Sequence, residues 1–229
     1  MLTKILVFLF LLSVVLHAPT KGFAKIWDES NFSVGTPLFE YFTQRAVANI
    51  LYSLGTRLDQ SLGITCSERH QVKFGGIRLY QPVDFPEGAK HPVSGIWLYQ
   101  FSLERCGETK IYNALAIARK DKPPRFVPMT PGTTIASPVL ARDASRSVAA
   151  QAGMQSAKAG VPKGCKDLRI FDTKNVSRPR DVVQAGKTVK GFWEEVWTVL
   201  LCGVKVGIPI TFWSDGKGGT FFSTKPKAN

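Results

Sequence analysis

Two periodicities alternate along this chain. Val47, Ile50, Leu51, Leu54, Leu58 and Leu62 recur at three- and four-residue spacing, which puts them on one stripe of a helix. Thr36-Pro37 supplies a cap and a proline at the first helical position, and Gly63 a stop. One amphipathic helix is therefore predicted from Thr36 to about Leu62. After Cys66 the period drops to two. Val72 and Phe74, then Ile77 and Leu79, predict a strand with a bulge at Gly75-Gly76. Residues 81–94 hold three prolines and predict a loop. Trp97, Tyr99, Phe101 and Leu103 alternate with more polar neighbours, as in a half-buried strand. Cys106-Gly107 turns the chain, Ile111 to Ile117 returns, and Phe126-Val127 begins a short last strand.

The pattern then restarts. Ser137-Pro138 repeats Thr36-Pro37 ahead of an Ala-rich helix whose main large residues are Val139, Leu140 and Val148. Gly160 and Pro162 end that helix, and Leu168 to Phe171 predicts a strand. Residues 172–190 read as a polar loop. A second Trp strand runs from Trp193 to Leu201, with a partner from Val204 to Trp213 and a closing strand at Phe221-Phe222. Gly191, Trp193, Cys202 and Gly203 match Gly95, Trp97, Cys106 and Gly107 at a constant offset of 96. The expected fold class is α+β: two tandem repeats, each one helix followed by about four antiparallel strands. They would be disulfide-stapled and related by a pseudo-two-fold. One helix on one sheet is a stable two-layer unit. The expected boundaries are a signal peptide at 1–24, a lead-in at 25–35 with Trp27 and Phe32 as anchors, a first repeat at 36–134 and a second at 135–229. The two repeats would pack as one unit.

The signal peptide rests on Lys4, the apolar run from Ile5 to Leu16, and small residues at Gly22 and Ala24. No later stretch approaches the length of a spanning helix, so the mature chain is expected to lack a transmembrane segment. Cleavage after Ala24 leaves 205 of 229 residues, and loss of Lys4 and Lys21 lowers the formal charge from +13 to +11. Such a charge attracts anionic surfaces. The four cysteines, Cys66, Cys106, Cys165 and Cys202, imply disulfides in an oxidising compartment, periplasmic or secreted. Of the three possible pairings, the repeat favours Cys66–Cys106 and Cys165–Cys202. There is no C-x-x-C, and only His70 and His91 follow the cleavage site, so no metal or other cofactor is expected. Asn31-Phe32-Ser33 and Asn175-Val176-Ser177 are glycosylation sequons in a eukaryotic host.

Catalytic patterns are thin. No G-x-S-x-G elbow occurs, and residues 214–220 lack the order of a phosphate loop. Adjacent Glu194 and Glu195 would point to opposite faces of a strand. The leading expectation is thus an exported non-enzymatic binding or interaction protein of the cell envelope. It would contact an anionic component or a protein partner through a basic loop carrying Arg178, Arg180, Lys187 and Lys190. Trp97, Trp193 and Trp197 are candidate walls of a pocket between the repeats. One alternative is an envelope-polymer hydrolase using Glu195 or Asp215. Another is a structural subunit of an envelope or secretion assembly.

Overall fold

The computed structural model describes residues 26–27, 30–66, 71–184 and 186–224. The expected signal peptide, His70 and the Lys225-Pro226-Lys227 tail lie outside the described residues. Over those residues the chain is α+β, with three helices, two antiparallel sheets and two disulfides.

The first expected helix is two helices, α1 (Pro37–Thr43) and α2 (Arg45–Ser61), broken at Gln44, whose backbone is extended. Thr36 caps α1 by accepting from the Phe39 amide. The break follows from spacing. Leu38 and Phe42 are four apart and buried, and Val47 and Leu51 likewise, but Phe42 to Val47 is five. At about 100° per residue, five residues overshoot a full turn by about 140°. A straight helix would swing one pair off the sheet, and extended Gln44 resets the phase. Ile50, expected on the stripe, sits at its exposed rim.

These helices cover a sheet of order β1-β2-β3-β4-β5. Its strands are β1 (Ile26–Trp27), β2 (Val72–Asp84), β3 (Ser94–Arg105), β4 (Glu108–Arg119) and β5 (Lys122–Met129). The register of β2 shifts between Phe74 and Gly76, at the expected bulge. Trp97, Tyr99, Phe101 and Leu103 point inward, and Phe42 stacks on Trp97 at 4.5 Å. Phe32 packs on Phe42 at 5.6 Å. A Cβ on Gly55 would lie 2.7 Å from Leu103 Cδ1, so glycine lets α2 ride close to β3.

Helix α3 (Pro138–Gln155), capped by Ser137, covers the second sheet. Its buried stripe is Ala141, Ala144, Val148 and Ala152, whereas Val139, expected to pack inward, is exposed. Small residues seat this helix closely on its strands, which are β6 (Leu168–Asn175), β7 (Arg180–Gln184), β8 (Lys187–Leu201), β9 (Val204–Ser214) and β10 (Thr220–Ser223). The order is β10-β9-β8-β6, with β7 beside the start of β8. Most of the expected polar loop is thus strand. Its register pairs Val182 with Val189 and Val183 with Thr188. Most residues of this hairpin are exposed, so no apolar alternation announced it.

Cys106-Gly107 joins β3 to β4, and Cys202-Gly203 joins β8 to β9. All four residues have positive φ, as a two-residue hairpin turn of type I′ requires. Cysteine replaces the usual Asn or Asp at the first position, and each is bonded back across its unit, Cys66 to Cys106 and Cys165 to Cys202. Closing loops of 40 and 37 residues is worth about 4 kcal/mol each in the chain-entropy model.

The linker stitches the sheets. Gly132 N donates to Ile111 O of β4 at 2.9 Å, and Thr133 N donates to Thr173 O of β6 at 2.7 Å. Asn113 Nδ2 donates to the Thr130 and Gly132 carbonyls, and Thr173 Oγ1 donates to Pro131 O. At this point the linker behaves as a short strand between two others, bonding one with one residue and the other with the next.

Candidate functional site

The two sheets leave a slot beside this linker. β5 pairs with β4 only from Asn113 to Arg119, so the start of β4 has an open edge. β6 is the outer strand of its sheet. The linker turns away after Thr133, and Ile135 N bonds to Glu195 deep in the second unit. What remains is a cavity of about 260 Å³ lined by both units, with Arg105 and Lys110 from the first and Phe171, Lys174 and Lys205 from the second.

Each lining group has a local cause. The register of β6 slips between Ile170 and Asp172, which makes Phe171 the extra residue of a bulge. Its ring centroid lies 4.1 Å from Lys110 Nζ and 4.0 Å from Lys205 Nζ, within cation–π range. Lys110 shares the inward parity of Tyr112 and Ala114 on β4, and it is only 9% exposed. Its Nζ is buried and has no hydrogen-bond partner. Beside it, Arg105 pairs with Asp59 at 2.8 Å, and Tyr112 Oη donates to the same carboxylate at 2.7 Å. The opposite hairpin places Leu201, Val206 and Ile208 at the same distances from its turn. A buried charge cluster is therefore no requirement of this hairpin.

Burial pushes the Lys110 pKa down to about 8; Asp59 and Asp172 oppose that shift, while Arg105 and Lys205 add to it. Burial likewise raises the Asp172 carboxyl, against the Thr173 amide and three lysines that lower it. The lysine shift sets a pH dependence. From about pH 8 to the unfolded value near 10.5 this amine holds its proton in the unfolded chain but not in the folded one, so its own contribution to stability rises with pH across that window. Lys110→Met is expected to be more stable than wild type by up to about 3 kcal/mol at pH 7. The gap should close by about pH 10.5. Urea unfolding of both proteins at several pH values reads it, and a pH-independent gap would count against the buried amine.

The residues singled out from the sequence lie elsewhere. Arg178, Arg180, Lys187 and Lys190 are all exposed, around and along the β7–β8 hairpin, with Arg180 Nη2 3.5 Å from the Glu194 carboxylate. None of the four lines the cavity. The three tryptophans are core residues rather than pocket walls. Trp97 and Trp197 are fully buried in separate cores, and Trp193 stacks on Phe212 at 4.6 Å. Glu195 is 1% exposed. Its Oε1 accepts from Trp193 Nε1 and Ile135 N, both at 3.0 Å, and its Oε2 accepts from Trp197 Nε1 at 2.7 Å. Asp215 Oδ1 accepts from the Lys217 and Gly219 amides and closes a turn. Both carboxylates are occupied by internal donors, and neither lines the cavity. His91 Nδ1 lies 2.8 Å from Tyr41 Oη.

Comparison with protein-family models, curated proteins and solved structures finds no match. Function has to be read from the site. Asp59, Arg105, Lys110 and Lys205 were missed in the sequence, yet two carried a signal. Asp59 falls in four-residue steps from Val47, Leu51 and Gly55, on the buried stripe of α2. Lys110 falls in two-residue steps with Tyr112, Ala114 and Ala116. A charge in phase with a core is the readable mark of a buried polar cluster.

Proposed function

We propose that this chain is an exported, non-enzymatic binding protein of the cell envelope, and that it captures an anionic group of its partner in the junction cavity. The observation that carries this is the Lys110 ammonium, nine-tenths buried in the cavity wall without an acceptor. Asp59 and Asp172 act on this ammonium only through space. A buried charge with no hydrogen-bonded acceptor is costly, and an arriving anion that accepts from it offsets that cost. Two disulfides fit an oxidising compartment. No helix among the described residues is long and apolar enough to cross a membrane. The basic hairpin, which follows Lys174 in the chain, strengthens the positive field that draws in an anionic partner.

We also take the two units to be copies of one ancestral unit, related by a pseudo-two-fold. Matched capped-proline helix starts, matched Cys-Gly turns and matched disulfide spans support this. On this reading the first unit gained a buried charge cluster where the second kept apolar residues.

Titration with inorganic phosphate at fixed ionic strength, followed by amide NMR, tests the capture site. Lys110→Met should weaken phosphate binding at least tenfold. Replacing Arg178, Arg180, Lys187 and Lys190 together by Ser should leave it unchanged. That second variant should instead weaken binding to phosphatidylglycerol vesicles and flatten the salt dependence. Equal phosphate affinity in wild type and Lys110→Met would overturn the proposal.

A further inference from the structure

We infer that the open end of the slot between β4 and β6 receives the last residues of an extended peptide, its terminal carboxylate meeting Lys110. This deepens the reading of the cavity as an anion site and rests on it. The first support is the width of the slot. Gly132 bonds to β4 and the next residue, Thr133, bonds to β6, so one extended chain spans the gap. Two edges flanking one strand stand roughly 9–10 Å apart. The linker uses this width for only two residues and then leaves towards Glu195. The rest of the same slot is the cavity.

The edge continues past the linker. Ile111 O faces the slot, because it accepts from Gly132 N. In an antiparallel strand alternate residues aim their amides to the same side, so Thr109 offers its N–H and C=O there too. β5 does not reach this part of β4. An added strand would find both a donor and an acceptor, as in recognition by strand addition. On the far side, bulged Phe171 offers an apolar ring to a side chain of the incoming chain.

Size and charge choose the end of a chain. At about 260 Å³ the cavity lies just below the roughly 300–1,000 Å³ of whole-ligand pockets. Its lining holds four cationic side chains, Arg105, Lys110, Lys174 and Lys205, against the carboxylates of Glu108 and Asp172. Arg105 is matched by Asp59. Three cations against two anions leave one net positive charge, which one carboxylate neutralises. A dense polyanion would meet Asp172 and Glu108. Two buried donors in this wall lack acceptors, Lys110 Nζ and Arg105 Nε.

The experiment uses the full-length oxidised protein and acetyl-Thr-Val-Thr-Val-Leu, once with a free carboxyl terminus and once amidated. Amide NMR follows both, beside the phosphate titration. The free acid should bind at least tenfold more tightly than the amide, with the largest shifts at Thr109, Lys110, Thr133 and Phe171. Lys110→Met should erase that preference. Thr109→Pro, which removes the edge N–H where proline is tolerated, should weaken both peptides alike. Far-UV circular dichroism confirms that both variants are folded. Lys110-dependent phosphate binding with equal or absent binding of the two peptides would overturn the peptide inference and leave the anion site standing. If neither phosphate nor peptide binds, both readings fall.

Discussion

Glu195→Leu is expected to lower the unfolding free energy by about 4 kcal/mol, because three N–H groups lose at once the carboxylate they donate to. Each buried donor left unsatisfied costs about 1–3 kcal/mol. Two of these donors are indoles in the core of the second unit, and the third is the Ile135 amide at the entry to α3. The side chain thus joins a central strand to the segment that positions a helix. Glu195→Gln should cost less, about 2 kcal/mol. Its carbonyl can stay with Trp193 and Ile135, while its amide group faces the Trp197 N–H donor to donor. Urea unfolding followed by tryptophan fluorescence and far-UV circular dichroism measures both. A Glu195→Leu midpoint equal to wild type would show that the carboxylate does not carry this load.

Gly132→Ala is the second large effect. A Cβ there would overlap the Thr173 carbonyl and come within 2.5 Å of the Thr173 amide nitrogen, at a φ of +100°. Backbone atoms on both sides are fixed by the sheets, so relief requires the linker to leave the slot. The Gly132–Ile111, Thr133–Thr173 and Thr134–Thr173 bonds would go with it. A loss of more than about 3 kcal/mol is expected, together with lost protection of these amides in hydrogen exchange. Gly88→Ala is the control. Its φ is +75° but nothing lies within 4 Å, so it should cost only about 1–2 kcal/mol. Similar costs at the two sites would mean that the junction is looser than its geometry.

The elements that the sequence made legible are those in which one face is buried and the other is not. Trp97 to Leu103 alternates because α2 covers one side of β3, and the same holds for Trp193 to Leu201 under α3. The disulfide pairing followed from where each cysteine stands relative to these strands. The break at Gln44 was hidden because Val47, Ile50, Leu51 and Leu54 make a convincing stripe without Leu38 and Phe42. The β7–β8 hairpin was hidden because it has little core to face. The cavity was hidden for a different reason. Its walls come from residues 105, 108–111, 132–133, 171–174 and 205, which become neighbours only when a linker lies between two sheets. Spacing along a chain carries no trace of such a meeting. Lys110 and Asp59 were the exceptions, since each breaks an apolar phase on its own element.

The two disulfides also bear on how the molecule is made. Each bond joins neighbouring cysteines in chain order, first to second and third to fourth. A chain emerging N-terminus first into an oxidising compartment exposes Cys66 and Cys106 before Cys165 has arrived. An oxidase that acts on whatever pair is present then forms each correct bond in turn. In a chain exported N-terminus first, consecutive connectivity would let the correct partner of each cysteine arrive before any wrong one from the other half, which lowers the demand for reshuffling.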